Sequence, residues 1–135
     1  MPTLDFLLTS NPILSESPRW DEEFGAEIIF WGVVRGTEDG EPIAGIDYTV
    51  YPRMAEKSLC ELGEEAGRIF CRHRAQLIHR TGLVHTAQPS VVLRVGCSRS
   101  REAFEISRWY LDKLKSVVPI WKRVVPKTTR NESAE

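Results

Sequence analysis

Residues 98–123 read Ser98-Arg99-Ser100-Arg101-Glu102-Ala103-Phe104-Glu105-Ile106-Ser107-Arg108-Trp109-Tyr110-Leu111-Asp112-Lys113-Leu114-Lys115-Ser116-Val117-Val118-Pro119-Ile120-Trp121-Lys122-Arg123. At about 100° per residue, Ala103, Phe104, Ile106, Ser107, Tyr110, Leu111, Leu114, Val117 and Val118 fall on one mainly apolar arc, which predicts a long amphipathic helix. Pro119 ends it, because proline has no N–H to donate and disfavours helical geometry in the residue before it. Lys115 lies at the rim of that arc, beside Leu111 and Phe104. If residues 120–125 are extended, Ile120, Lys122 and Val124 share one face. Each lysine is either a stem snorkelling along an apolar edge or a functional amine. Two of them flanking one proline turn favour the second reading.

Just before the helix, Ser90-Val91-Val92-Leu93-Arg94-Val95-Gly96-Cys97 reads as a strand that feeds straight into it. The free N–H groups of a helix start attract anions. Ser98 or Ser100 is expected as N-cap, and Arg99 and Arg101 add forked donors suited to phosphate. Arginines there oppose the helix macrodipole, a cost that a bound anion would offset; the plain alternative is two solvent-facing arginines. Arg35 ends a long β-rich run, residues 25–35, beside Gly36. It is expected to converge with residues 98–101 on one basic region.

The rest of the chain supplies the frame. Residues 3–8 read as a first strand, followed from Asn11-Pro12 to Pro18 by a short connection with room for one helical turn. Residues 36–42 form a polar turn or mobile loop. Residues 43–51 return as a strand, residues 54–70 have helical period with Leu59, Leu62, Ala66 and Phe70 near one stripe, and residues 76–82 are a strand ending at glycine. This order is α+β with mostly antiparallel pairing. It predicts one domain over residues 1–125 and a polar tail over 126–135.

Composition narrows the function. The chain has 135 residues, 41% hydrophobic and 27% charged, with net charge −1. Residues 1–70 carry five bases against fourteen acids, −9, and residues 71–135 carry thirteen bases against five acids, +8. The second half therefore suits an anionic ligand or tail, or is simply a solvated basic face. Few aromatics, slight overall acidity and no binding motif argue against nucleic acid. No apolar run approaches a membrane span, and Met1-Pro2-Thr3-Leu4-Asp5 has no basic region before an apolar core, so a cytoplasmic protein is expected. Cys60, Cys71 and Cys97 form no C-x-x-C pair, which argues against disulfides and zinc; the first two are expected in the core. Cys97, beside a helix start and two arginines, is a minor candidate for an acidified thiol. His79 is expected to be a hydrogen-bonded strand histidine and His73 a surface one. No Ser-His-Asp set, Gly-rich phosphate loop or metal motif is present.

Taken together, Gly32-Val33-Val34-Arg35, Tyr51-Pro52-Arg53-Met54-Ala55-Glu56-Lys57, Ile78-His79-Arg80-Thr81-Gly82, Arg101-Glu102-Ala103-Phe104 and the stretch from Leu114-Lys115 to Trp121-Lys122-Arg123 resemble, in order and spacing, the catalytic large subunit of molybdopterin synthase. The resemblance covers residues 25–123. It implies an α/β hammerhead-type fold with two main helices, and a sulfurtransferase of molybdenum cofactor biosynthesis. It also implies a homodimer whose subunits each bind a small ubiquitin-like sulfur-carrier subunit, making a heterotetramer. The carrier's C-terminal Gly-Gly thiocarboxylate would deliver two sulfurs to cyclic pyranopterin monophosphate, giving molybdopterin. Lys115 and Lys122 would be catalytic; Arg35, Phe30, Leu111, Arg99, Ser100 and Arg101 would bind substrate. No metal and no cofactor is implied.

Two departures stand out. The family has His-Arg where this chain has Arg99-Ser100, and it continues past Trp-Lys-Arg with a further Trp-containing segment where this chain has Pro126-Lys127-Thr128-Thr129-Arg130. They leave an alternative: a non-catalytic relative acting as a scaffold for a ubiquitin-like partner.

Overall fold

The computed structural model describes residues 3–14 and 20–127. Alternating apolar residues build the first sheet from β1 (Leu4–Thr9), β2 (Ala26–Val33), β5 (His73–Arg80) and β7 (Pro89–Cys97), in the order β1-β5-β7-β2. β1 and β5 pair in parallel, and the other neighbours pair antiparallel. Cys97 lies opposite both Ala26 and His73, so every second residue back along β7 (Val95, Leu93, Val91) faces the same side. Helices α1 (Pro52–Ile69) and α2 (Ser100–Ser116) close over that side. Ala55, Leu59, Leu62 and Ala66 from α1 meet Ala103, Ile106 and Tyr110 from α2 in the main core. Leu59, Leu93 and Ile106 are completely buried, each stabilising the fold by about 1.5–3 kcal/mol relative to exposure. Pro52 both ends the preceding strand and occupies the first helical position of α1, where its missing N–H costs nothing.

The second sheet is built on β4 (Glu41–Val50), which bonds β3 (Thr37–Glu38), β6 (Gly82–His85) and β8 (Ile120–Pro126). β6 and β8 flank β4 on opposite sides, since both pair with its residues 45–48. Val34, Ile43, Ile46 and Val84 form a smaller core, with Tyr48 and Val124 packed against it. The stretch expected as a polar turn or mobile loop is the turn, a tight hairpin. Asp39 and Gly40 both have positive φ (51° and 79°), as the two-residue Asp-Gly turn requires.

The α+β class and the two main helices are as expected. Other expectations are corrected. β6 did not stand out from its sequence. Cys60 and Cys71 are exposed rather than core residues, because α1 turns its Leu59–Leu62–Ala66 stripe to the sheet and leaves Cys60 one step off it. Phe104 and Val117 are 62% and 50% exposed, so the buried face of α2 is narrower than its apolar arc. β8 runs one residue into the expected tail, with Pro126 opposite Ile43. Residues 15–19, in the connection ending near Pro18, and residues 128–135 lie outside the described residues.

Candidate active site

α2 buries Ala103, Ile106, Ser107 and Tyr110, which leaves Lys115 exposed in its last turn. There the ammonium also faces the negative end of the helix dipole. The helix stops at Ser116, with Val117 as C-cap. Val118 is then only 5% exposed and packs into the main core. The Ile120 N–H donates to the Val118 carbonyl (2.8 Å), tightening the corner around Pro119. β8 leaves that corner with Lys122 opposite Tyr48 and Val124 opposite Ile46. Lys122 thus shares a face with Ile120 and Val124 and is exposed on it. The two lysines emerge on either side of a corner fixed in the core by Val118.

Phe30 and Leu111, expected to bind substrate, differ in setting: Phe30 is 37% exposed, whereas Leu111 is partly buried. Phe30 sits on β2 opposite Leu93, and Leu111 packs against the core cluster. Gly32 gives the Phe30 ring room, since a Cβ there would lie 2.5 Å from Val91 Cγ1 and 3.3 Å from the ring. Arg35 follows β2, its side chain 78% exposed and paired with Glu38 at 3.2 Å. Such an exposed pair contributes little to stability, so the guanidinium is free to exchange partners.

The helix start is different from what the sequence suggested. Neither Ser98 nor Ser100 caps it. Arg99, in extended geometry (φ −132°, ψ 149°), is the N-cap and makes no side-chain cap bond; Ser100 is already helical. The Arg99 carbonyl accepts the Ala103 N–H (3.1 Å) and the Cys97 thiol (3.2 Å), which holds the tight exit from β7. Burial pushes the Cys97 thiol up rather than down, so the acidified-thiol expectation does not hold. Arg99, Ser100 and Arg101 are exposed.

These residues do not converge with Arg35 within one chain. A Cβ on Gly25 would meet the Ser98 carbonyl oxygen at 2.5 Å, so the helix start lies against the beginning of β2. Arg35 follows its far end, about 25 Å along the strand at 3.3 Å per residue. Arg101 and Lys115 are likewise separated by fourteen residues of one helix, about 21 Å at 1.5 Å per residue. The expected site residues therefore form two groups, the 99–101 turn at one end of α2 and Lys115 and Lys122 at its other end.

Both remaining histidines of interest are buried. His79 is a strand histidine as expected: its Nδ1–H donates to the Arg80 carbonyl (2.8 Å), and its ring meets Tyr48 edge-on at 5.1 Å. His73 is not a surface residue. Its Nδ1–H donates to the Cys71 carbonyl (2.9 Å), and its Nε2 accepts the Tyr110 hydroxyl (2.9 Å). Its period-two spacing with Ala75, Leu77 and His79 was the available signal. Burial lowers the pKa of both histidines and raises that of Tyr110. Arg80, not singled out from the sequence as a site, is 7% exposed. It donates to Gln88 Oε1 (3.1 Å) and to the carbonyls of Ser10 (3.3 Å) and Leu83 (3.4 Å).

A cleft of about 420 Å³ lined by Trp20, Asp21, Phe24, Glu27, Ile29 and Arg74 contains none of the expected site residues. Among the described residues no group of three or more His, Cys, Asp or Glu side chains could hold a metal ion. No described helix is long and apolar enough to cross a membrane.

Comparison with known proteins bears on these features. Residues 8–117 match the family model described as MoaE protein. The chain is 38% identical over 99 residues to the molybdopterin synthase catalytic subunit of Emericella nidulans, covering 73% of this chain and 51% of that protein. It is also 38% identical over 99 residues to that of Thermoplasma volcanium, covering 73% and 72%. The match thus spans about half the length of the first relative and nearly three quarters of the second. Among solved structures, molybdopterin synthase from Staphylococcus aureus superposes with a TM-score of 0.82 at 27% identity, covering 89% of this chain and 90% of that one. A complex of subunits 1 and 2 of the molybdopterin-converting factor from Helicobacter pylori contains a chain that shares the fold, with a TM-score of 0.66 at 19% identity, covering 95% of this chain and 92% of that one.

Proposed function

The chain belongs to the MoaE protein family, and on that premise we propose that it is the catalytic large subunit of a molybdopterin synthase. It takes sulfur from the thiocarboxylated Gly-Gly C-terminus of a small ubiquitin-like carrier and transfers it to cyclic pyranopterin monophosphate, two sulfurs for each molybdopterin formed. The observation that carries this reading is the Val118 corner, which fixes the bases of two exposed lysines, Lys115 and Lys122, on either side of one buried residue. Donor and substrate are both anions. Two ammonium groups held at one corner bind a thiocarboxylate through charge-assisted hydrogen bonds and stabilise the charge that moves as sulfur leaves the carrier carbonyl. Both amines are exposed in the free chain, so their removal from water would come with the tail itself. Lys115 and Lys122 are the catalytic residues of this reading, and Phe30 and Leu111 its apolar lining.

The substrate phosphate needs more than one chain. Arg35 and the 99–101 turn lie at opposite ends of β2, farther apart than a single phosphate can bridge. A homodimer in which one copy brings Arg99, Ser100 and Arg101 toward Arg35 and the lysine corner of the other removes the difficulty. The exposed apolar residues of edge strand β2 (Phe30, Trp31 and Val33) offer a surface for it. The reading assumes a cytoplasmic setting, where thiols such as Cys60 and Cys71 stay reduced. It requires neither a metal nor a further cofactor.

The test is direct. The protein is mixed with thiocarboxylated carrier and cyclic pyranopterin monophosphate, and molybdopterin is sought by mass spectrometry. Formation of molybdopterin is expected. Carrier binding without any product would instead favour the scaffold reading suggested by the missing His-Arg pair.

A further inference from the structure

The Ile78-His79-Arg80-Thr81-Gly82 motif and Tyr48 have no part in the chemistry described so far. We propose that Tyr48 and His79 are positioning residues for Lys122, through a run of fixed contacts that begins at the buried guanidinium of Arg80. The functional meaning of this inference rests on the sulfur-transfer reading above; its geometry does not.

Tyr48 and Lys122 are directly opposed on antiparallel β4 and β8. Opposed residues put their side chains on the same face, with Cβ atoms about 4.5–5.5 Å apart. On its other side Tyr48 is opposed by Gly82. That residue has φ +79°, and a Cβ built there meets nothing within 4 Å. The rung is thus open on the β6 side of Tyr48 and occupied by Lys122 on the β8 side. The Tyr48 ring is held by His79, edge-on at 5.1 Å with an interplanar angle of 80°. His79 is held in turn by its 2.8 Å bond to the Arg80 carbonyl. The Arg80 side chain ties together the end of β1, the start of β6 and the turn before β7 through Ser10, Leu83 and Gln88. The next residue of β8, Arg123, is anchored differently, by an ion pair with Asp47 at 3.1 Å on the opposite face.

Lys122 needs such a guide. An exposed lysine has a flexible four-carbon stem and a strongly hydrated head. A fixed aromatic ring beside the stem narrows the volume the ammonium explores. Reaction rates are sensitive to that narrowing, because a displacement of about 1 Å from productive geometry can cost 10²-fold. Tyr48 acts through its ring, not its hydroxyl, and His79 acts by fixing that ring.

The experiment uses full-length protein carrying ¹³C-dimethylated lysines, with the Lys122 resonance assigned by Lys122→Arg. Tyr48→Leu should move the Lys122 methyl resonance and leave that of Lys115 in place, and Tyr48→Phe should leave both unchanged. In sulfur-transfer assays with unmodified protein, Tyr48→Leu and His79→Ala should lower kcat at least 10-fold with little change in KM for the pterin. Tyr48→Phe and His79→Phe should restore most of it. Melting temperatures are taken first, and if Tyr48→Leu does not fold the same resonance is read in His79→Ala. An unmoved Lys122 resonance in the folded variant, or a kcat within twofold of wild type, overturns the inference. If the wild type forms no molybdopterin, the sulfur-transfer reading fails while the resonance still decides whether Tyr48 contacts Lys122.

Discussion

Val118→Ala removes two methyl groups from the buried residue of the corner between Lys115 and Lys122. At about 0.8 kcal/mol per buried methylene-sized group the loss is about 1.6 kcal/mol, and the cavity left behind brings it to roughly 2–2.5 kcal/mol. For a chain of this length that corresponds to a fall in Tm of roughly 6–12 °C. Val117 supplies an internal control. It is the neighbouring residue and the same side chain, yet 50% exposed, and Val117→Ala should change stability by no more than about 0.5 kcal/mol. The corner also fixes where both lysines begin. Sulfur transfer by Val118→Ala should therefore fall at least 10-fold at a temperature where the protein is still fully folded, and Val117→Ala should stay near wild type. Thermal denaturation followed by circular dichroism, with single-temperature turnover beside it, measures both. Equal Tm values for the two variants would refute the burial argument. A lowered Tm with undiminished turnover would refute the claim that the corner positions the amines.

Three further outcomes follow from the same geometry. If Lys115 and Lys122 act on one transferring sulfur, as proposed, each single Ala variant should approach the turnover defect of the double variant, with Tm nearly unchanged because both side chains are exposed; defects that multiply independently would separate the two roles. Cys97→Ala should keep most activity, and a thiol reagent should label Cys60 and Cys71 in the folded protein but not Cys97, which is buried and carries a raised pKa; rapid labelling of Cys97 contradicts this. His73 and His79 both have pKa values lowered by burial, so the unfolded chain binds more protons below its histidine pKa of about 6.5. Their stabilisation is complete above that value and is lost as pH falls through it toward the lowered folded values, at up to about 1.4 kcal/mol per pH unit for each histidine. Urea midpoints at pH 7.5 and pH 5.5 test this, and a higher midpoint at pH 5.5 would be inconsistent with it.

Much of the fold could be read because period carried it. The apolar arc of α2, the Leu59–Leu62–Ala66 stripe of α1 and the alternation of β7 each report burial directly, and each element formed where its pattern lay. Gly82 to His85 failed that test. β6 is four residues long, too short for a period, and exists because β4 offers it an edge. Asp39-Gly40 was visible as a turn, but its positive φ values decide between a mobile loop and a hairpin. His73 could have been placed by extending the His79–Leu77–Ala75 alternation one step back. The placement of Lys115 and Lys122 on either side of the Pro119 corner was legible from their position beside apolar residues. The distance between Arg35 and the helix start was not, because it depends on which end of β2 meets Cys97, and register is a property of two strands rather than one. Arg80 was hidden for a related reason: its three acceptors come from Ser10, Leu83 and Gln88, which no local pattern connects.

The two basic groups at opposite ends of α2 have a genetic consequence if the sites are completed across a dimer. A chain with Lys122→Ala is defective in one half of a site, and a chain with Arg101→Ala in the other half. In a mixed dimer of the two, one site collects both lesions and the other receives neither. Two alleles that are each inactive alone would then complement when expressed together, recovering up to half of the wild-type activity per mixed dimer. Two lesions at the same end of α2 would never do so. The seventeen-residue length of α2 would then be tied to inheritance, deciding which pairs of damaged copies can share one working site.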